Sequence, residues 1–161
     1  MKKSLIFFGL LLTLVFCSQT KSNTNLVYDG KVIFYRLNGG QKYSDKTVAN
    51  QYVSSDSLYY TYNYDKLRER EDRLVFFKDS ILLNKTKLEF ISRKKINGIN
   101  IEKYLCDGEN SSIHIYLNRE MGLLLTRNRF NNVVVEYHIE PSIDSLPRNI
   151  LNDSIFFDVY K

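Results

Sequence analysis

From Lys31 onward the chain runs as short apolar stretches separated by clusters of Gly, Asn and Asp, a rhythm that suits antiparallel sheet and little else. Successive residues of a strand face opposite ways, so a few residues suffice to cross a small core. The turns between such strands need residues that accept positive φ. Asn97-Gly98 is the strongest signal of that kind here. The 12 Tyr and 10 Phe supply bulk in the absence of Trp, and with Ile and Val they favour strand over helix. The expected fold class is mainly β: an antiparallel meander forming a curved sheet or half-open barrel, with one or two short helices.

Element by element, the pattern predicts a strand over 31–37, ended by Asn38-Gly39-Gly40, and then a weakly patterned loop with marginal strand over 41–55. A strand over 57–64 places Tyr60, Tyr62 and Tyr64 on one face beside Leu58. The charged stretch 65–73 reads as a solvated bend or short helix. Strands over 74–78 and 81–83 flank a hairpin turn at Asp79-Ser80, and further strands follow over 88–96, 99–106 and 111–118. Ile99, Ile101 and Leu105 share a face, as do Ile113, Ile115 and Leu117. The two sets coincide if an odd number of residues, three or five, joins their strands. Strands over 122–130 and 133–139 meet at Asn131-Asn132. A two-residue turn there sets Arg127 opposite Glu136 and gathers Leu124, Phe130, Val133, Val135, Tyr137 and Ile139 on one face. Glu140-Pro141 ends the meander, Pro147 starts a short helix to Leu151, and 155–160 reads as a last strand.

The N-terminus carries a different message. Met1-Lys2-Lys3 precedes an uncharged run from Leu5 to Phe16. A basic start and a short apolar run make a secretory signal, and the run falls below the roughly 20 residues needed to span a bilayer. Leu14-Val15-Phe16-Cys17 resembles the lipobox of bacterial lipoproteins, which makes Cys17 the candidate lipidation site. Phe16 stands where that pattern has a small residue, and ordinary cleavage before Ser18 is the alternative. The expected organisation is a signal segment over 1–17, a polar tether over 18–30 and a single β-rich domain over 31–161. The location is then the periplasm or outer membrane, lipid-anchored or secreted. Lys2 and Lys3 account for two of the 23 basic residues, so the exported part holds 21 against 18 acidic ones. That balance gives no reason to expect nucleic acid as a partner.

Chemistry-bearing motifs are sparse. His114 and His138 each sit mid-strand, with no second ligand at metal-binding spacing, so neither a metal nor another cofactor is expected. Cys106 is expected as a structural thiol, and a Cys106–His114 pair requires hydrogen-bond reach that the sequence leaves open. No enzymatic activity is expected.

The succession Lys95-Ile96-Asn97-Gly98 to Lys103-Tyr104, then Ser112 to Leu117, then Met121-Gly122, resembles small secreted proteins of Bacteroidetes-type bacteria related to the lipoprotein-carrier (LolA/LolB-like) superfamily. Ile115-Tyr116-Leu117 stands where such relatives commonly have a Trp. The resemblance implies an antiparallel half-open barrel whose concave apolar face holds a lipid or acyl chain, with no catalytic residues. Two function classes lead: a non-enzymatic envelope binding module, and an envelope lipoprotein of interaction, immunity or inhibitor type. A hydrolase using Cys106 or a His is a third. The candidate apolar ligand face is Ile113, Ile115, Leu124, Val133, Val135 and Tyr137, against the alternative that these form closed core. The candidate partner surface is Arg68, Arg70 and Arg73.

Overall fold

The computed structural model describes residues 25–67, 70–108, 111–139 and 144–157. The N-terminal run expected as a signal segment, with Cys17, lies outside them, as do Arg68, the Glu140-Pro141 end of the meander and residues 158–160 of the expected last strand. Eleven antiparallel strands are described: β1 (Leu26–Arg36), β2 (Tyr43–Ser54), β3 (Ser57–Tyr64), β4 (Glu71–Phe76), β5 (Ile81–Leu83), β6 (Thr86–Lys87), β7 (Glu89–Ile96), β8 (Ile99–Gly108), β9 (Ser111–Asn118), β10 (Gly122–Asn128) and β11 (Val133–His138). Two short helices follow, α1 (Leu146–Asn152) and α2 (Ser154–Phe157). The sheet order is β6-β5-β4-β3-β2-β1-β11-β10-β9-β8-β7. Because β1 pairs with β11, the sheet curls into a nearly closed barrel whose edges are β6 and β7, strands consecutive in sequence. The expected mainly β fold with two short helices is therefore what forms.

Local signals account for most of the meander. Ile96 pairs with Ile99 across Asn97 and Gly98, whose φ values of 50° and 83° are those of a two-residue hairpin turn. Tyr60, Tyr62 and Tyr64 all turn inward and are buried. Pro147 stands in the first turn of α1, where its missing N–H costs nothing.

Several expectations are corrected. The stretch 41–55 forms a long strand, β2, rather than loop; its inward residues Asp45, Thr47 and Ala49 are buried without being strongly apolar. β1 begins at Leu26, so residues 26–30, read as tether, pair with β2. The charged segment is strand from Glu71, because Asp72 turns inward opposite Tyr62. Gly108 pairs with Ser111, which leaves two residues in that loop rather than three or five. Consequently Ile113, Ile115 and Leu117 share a face with Cys106, Tyr104 and Glu102, while Ile101 lies on the other face with Tyr116. Parity did not bind here because this wall is buried on both sides. Finally, Arg127 lies opposite Val134, and Glu136 opposite Leu125. Asn128 Oδ1 accepts the N–H groups of Phe130 (3.0 Å) and Asn131 (3.3 Å), closing a wider loop than the two-residue turn.

The C-terminal run Ile155-Phe156-Phe157 is helical rather than extended. Asp153 Oδ1 accepts the Phe156 N–H at 3.0 Å and its carbonyl accepts the Phe157 N–H at 2.8 Å. This side-chain cap, with burial of both rings against Tyr116, outweighs the β preference of the residues.

Two hydrophobic clusters result. The barrel interior holds Tyr60, Tyr62, Leu74 and Phe76 from β3 and β4 against Ile115, Leu117, Leu123, Val135 and Tyr137 from β9–β11. The outer side of β8–β11 holds Ile101, Tyr116, Leu124, Leu125 and Val134 under Leu146, Ile150, Phe156 and Phe157 of the helices.

Candidate functional site

The expected ligand-facing residues divide between these environments. Ile115, Val135 and Tyr137 are buried in the interior cluster, and Ile113 packs against it half-buried. Val133 is half-buried at the end of β11. Leu124 is on the opposite face: the register of β10 slips between Leu123 and Leu125, and this bulge turns Leu124 toward the helices.

Tyrosines from the far wall fill the interior opposite Ile115 and Tyr137. The Leu123 N–H donates to Tyr62 Oη at 2.7 Å, and the Tyr62 ring meets Tyr137 edge-on at 5.4 Å. Tyr60 Oη lies 2.9 and 2.7 Å from the carbonyls of Arg119 and Glu120 and accepts from Gln51 at 2.8 Å. Tyr64 donates to the buried Asp72 carboxylate at 2.5 Å, which also accepts from Asn84 at 2.8 Å. Burial raises the pKa of Tyr62, Tyr64 and Tyr137, holding them as neutral phenols. Gly122 makes this contact possible: its φ is +76°, and a Cβ there would stand 2.1 Å from Tyr62 Oη.

The barrel opens at the seam between its two edges. Leu88 N–H donates to the Ile81 carbonyl at 2.9 Å, and the chain then leaves β6 to become β7. Beside this link lies a cleft of about 490 Å³, with Phe76, Phe77, Ile81, Leu88, Phe90 and Tyr104 as its apolar lining. Phe76, Leu88 and Tyr104 belong to the interior cluster and are buried, so the cleft borders the packed core. Phe90 lies opposite Tyr104 and meets its ring edge-on at 5.5 Å, yet remains 57% exposed. Sequence reasoning missed this site because its lining gathers residues from separate hairpins, from Phe76 of β4 to Arg119 after β9, which local patterning does not bring together. The sole hint was a short strand pair running into β7.

The remaining sequence candidates lie elsewhere. Arg70 pairs with Asp72 at 3.2 Å and covers the Tyr64 ring. Arg73 lies over the Tyr59 ring at 5.2 Å, and Tyr59 stacks on Tyr52 at 4.8 Å, on the outer wall. Cys106 faces the interior, while His114 faces outward with Arg127, so the thiol–imidazole pair does not form. Burial and then Asp107 push the Cys106 thiol pKa up, away from the reactive thiolate.

His138 lies between two carboxylates, Glu136 Oε2 and Asp144 Oδ1, each at 2.8 Å, and Tyr35 donates to Glu136 Oε1 at 2.6 Å. The hydrogen bond to Glu136 leads in raising the His138 pKa. Burial pushes Glu136 up, but the bonds from His138 and Tyr35 bring it below its ordinary value. With both ring nitrogens engaged, the imidazolium ties the residues before α1 to β11. It borders a cleft of about 810 Å³ at one end of the barrel, lined also by Gly30, Lys46, Val48, Tyr64 and Ile139. Among the described residues, no group of three or more His, Cys, Asp or Glu is placed to hold a metal ion. No described helix is long and apolar enough to cross a membrane.

Fold and clefts together define a small antiparallel β-barrel protein with a lateral opening and a helical cover on one outer wall. No family model and no curated protein matches the chain. Solved structures that match include PNGF-II in two crystal forms, with TM-scores of 0.41 and 0.38 and identities of 12% and 14%. These matches cover 71% and 75% of this chain but 28% and 29% of PNGF-II, so the chain spans less than a third of its length. A domain described as belonging to an outer membrane lipoprotein-sorting protein from Vibrio parahaemolyticus has 8% identity and a TM-score of 0.34, covering 78% of this chain and 91% of its own. A DUF1329 family protein from Desulfovibrio piger has 6% identity and a TM-score of 0.28, covering 73% and 85%.

Proposed function

We propose that this chain is an exported, non-enzymatic binding module of the cell envelope that takes up an apolar or amphiphilic ligand at the seam. The observation that carries this reading is Phe90, an aromatic side chain left mostly exposed in a cleft that borders the core. Exposed aromatic surface at the mouth of a concave site favours uptake of an apolar group. The deep interior is already occupied by Tyr60, Tyr62 and Phe76, so the ligand sits at the mouth and reaches the candidate face at Ile115 and Tyr137 only if the seam widens. The apolar leader supplies export, and acylation of Cys17, or cleavage before Ser18, sets whether the product is anchored or released.

Native mass spectrometry of the purified mature protein, followed by titration with a fluorescent fatty-acyl probe, tests the proposal. Bound lipid or saturable probe uptake, reduced about fivefold by Phe90→Ala, is expected, since roughly 1 kcal/mol of apolar contact is lost. A ligand-free protein that takes up no probe overturns it. Intact mass of the native product reports acylation.

The Arg73–Tyr59–Tyr52 stack favours a second reading, a protein–protein surface on the outer wall, because Arg and Tyr dominate interface energetics. Capture of an envelope protein that is lost on Arg73→Glu supports that reading, and unchanged capture rejects that surface.

A further inference from the structure

We propose that the seam selects ligands carrying a negatively charged head, with Arg119 as its principal recognition group; this inference rests on the ligand-binding reading above. The charged residues lining the cleft are Lys78, Lys87, Arg93 and Arg119 against Asp79 and Glu102. They are not equivalent. Arg93 forms an ion pair with Glu102, and Tyr104 donates to the other oxygen of that carboxylate at 2.8 Å. Glu102 is thereby committed to Arg93 and Tyr104. Arg119 instead stands over the ring of Phe76, its guanidinium carbon 5.5 Å from the centroid. Phe76 is also part of the apolar lining.

A guanidinium resting on an aromatic face keeps its edge donors directed away from the ring, in the geometry that receives a carboxylate or phosphate. Charge and grease therefore meet at one place: an acyl chain lying against the exposed rings of Phe77 and Phe90 would bring its head to Arg119, with Lys78 and Lys87 at the rim. Both a carboxylate and a phosphate head satisfy this chemistry. Glu120 lies beyond the cleft, in a neighbouring surface depression that Arg93, Glu102 and Arg119 also line, and it limits the positive field on that side.

The test is a binding titration of the mature protein with three single-chain probes: palmitate, palmitoyl lysophosphatidylglycerol and the neutral hexadecanol. Both anionic probes are expected to bind about tenfold more tightly than the alcohol, the effect of one partly desolvated ion pair. Arg119→Gln should shrink this preference to within about threefold by weakening the anionic probes more than hexadecanol, and Arg119→Lys should restore part of it. Thermal unfolding of each variant checks that the fold survives. If the neutral and anionic probes bind alike, the head-group inference fails and the binding reading stands; if none binds, the binding reading itself fails. Preference for one anionic probe over the other identifies a carboxylate or a phosphate as the head. An anionic preference that survives Arg119→Gln overturns the role given to Arg119.

Discussion

The β8–β11 wall is buried on both sides, and its two sides are sealed differently. On the inner side, side chains from another part of the same sheet cross the barrel. Tyr62 and Tyr60 reach backbone groups at the start of β10 and just before it, so ring packing and hydrogen bonds coincide. On the outer side, two short helices cover the wall, and three side chains of the sheet meet the carbonyls that end the described part of α2. Lys103 reaches Phe156 O at 3.1 Å, while Tyr116 and Arg127 reach Phe157 O at 2.9 and 3.3 Å. Both cations are almost fully buried, at 4% and 6% exposed. Donors that meet buried carbonyls spare them the cost of going unpaired. The inner seal is therefore steric and exacting, whereas the outer one is a lid held by rings and charge.

Substitutions at the two seals separate these descriptions. The largest effect is expected for Gly122→Ala, because the new Cβ collides with Tyr62 and Tyr60 and the backbone has φ of +76°. A loss of about 4 kcal/mol is predicted by chemical denaturation; a loss under about 1 kcal/mol would show that the inner seal is slack. Phe157→Ala on the outer side should cost about 3 kcal/mol, as for other fully buried aromatic truncations. Tyr62→Phe removes only an oxygen and should cost about 1–2 kcal/mol, since it strands the buried Leu123 N–H. If Phe157→Ala proves milder than Tyr62→Phe, the helical lid contributes less than its burial implies.

His138 gives a smaller and pH-dependent effect. Its pKa is raised in the folded protein, so its contribution is complete below the ordinary histidine value and is lost as pH climbs through the raised one. Glu136, lowered, contributes above the ordinary carboxylate value and loses that contribution as pH falls. Stability should therefore decline as pH rises above about 6.5, the ordinary histidine value, and His138→Gln should flatten that decline when denaturation midpoints are compared. The smallest effect is expected at Ile155, which is 87% exposed on α2: Ile155→Ser should shift stability by less than about 0.5 kcal/mol. A larger loss would argue for an extended C-terminal segment.

What could be read from the residues follows from the range of the forces involved. Asn97-Gly98, the alternating tyrosines of β3 and the proline of α1 act over a few residues, so each was legible. β2 was hidden because Asp45 and Thr47, two of its inward positions, are polar and buried by their neighbours rather than by their own hydrophobicity. Likewise Asp72 reads as part of a charged loop until Tyr64, Arg70 and Asn84 surround it. Of the expected ligand-facing residues, Ile115, Val135 and Tyr137 share the barrel interior, but a one-residue bulge moved Leu124 to the other face. The seam was invisible because Phe76 and Phe90 belong to separate hairpins.

By itself, the sequence determined the strand rhythm, the Asn97-Gly98 turn and the inward tyrosine row, since each depends on a residue's own backbone preference or on its nearest neighbours. Tertiary structure alone decided the pairing of β1 with β11, the double burial of β8–β11 and the opening beside β7. These depend on which distant surfaces exclude water from one another, and a local pattern carries no record of that.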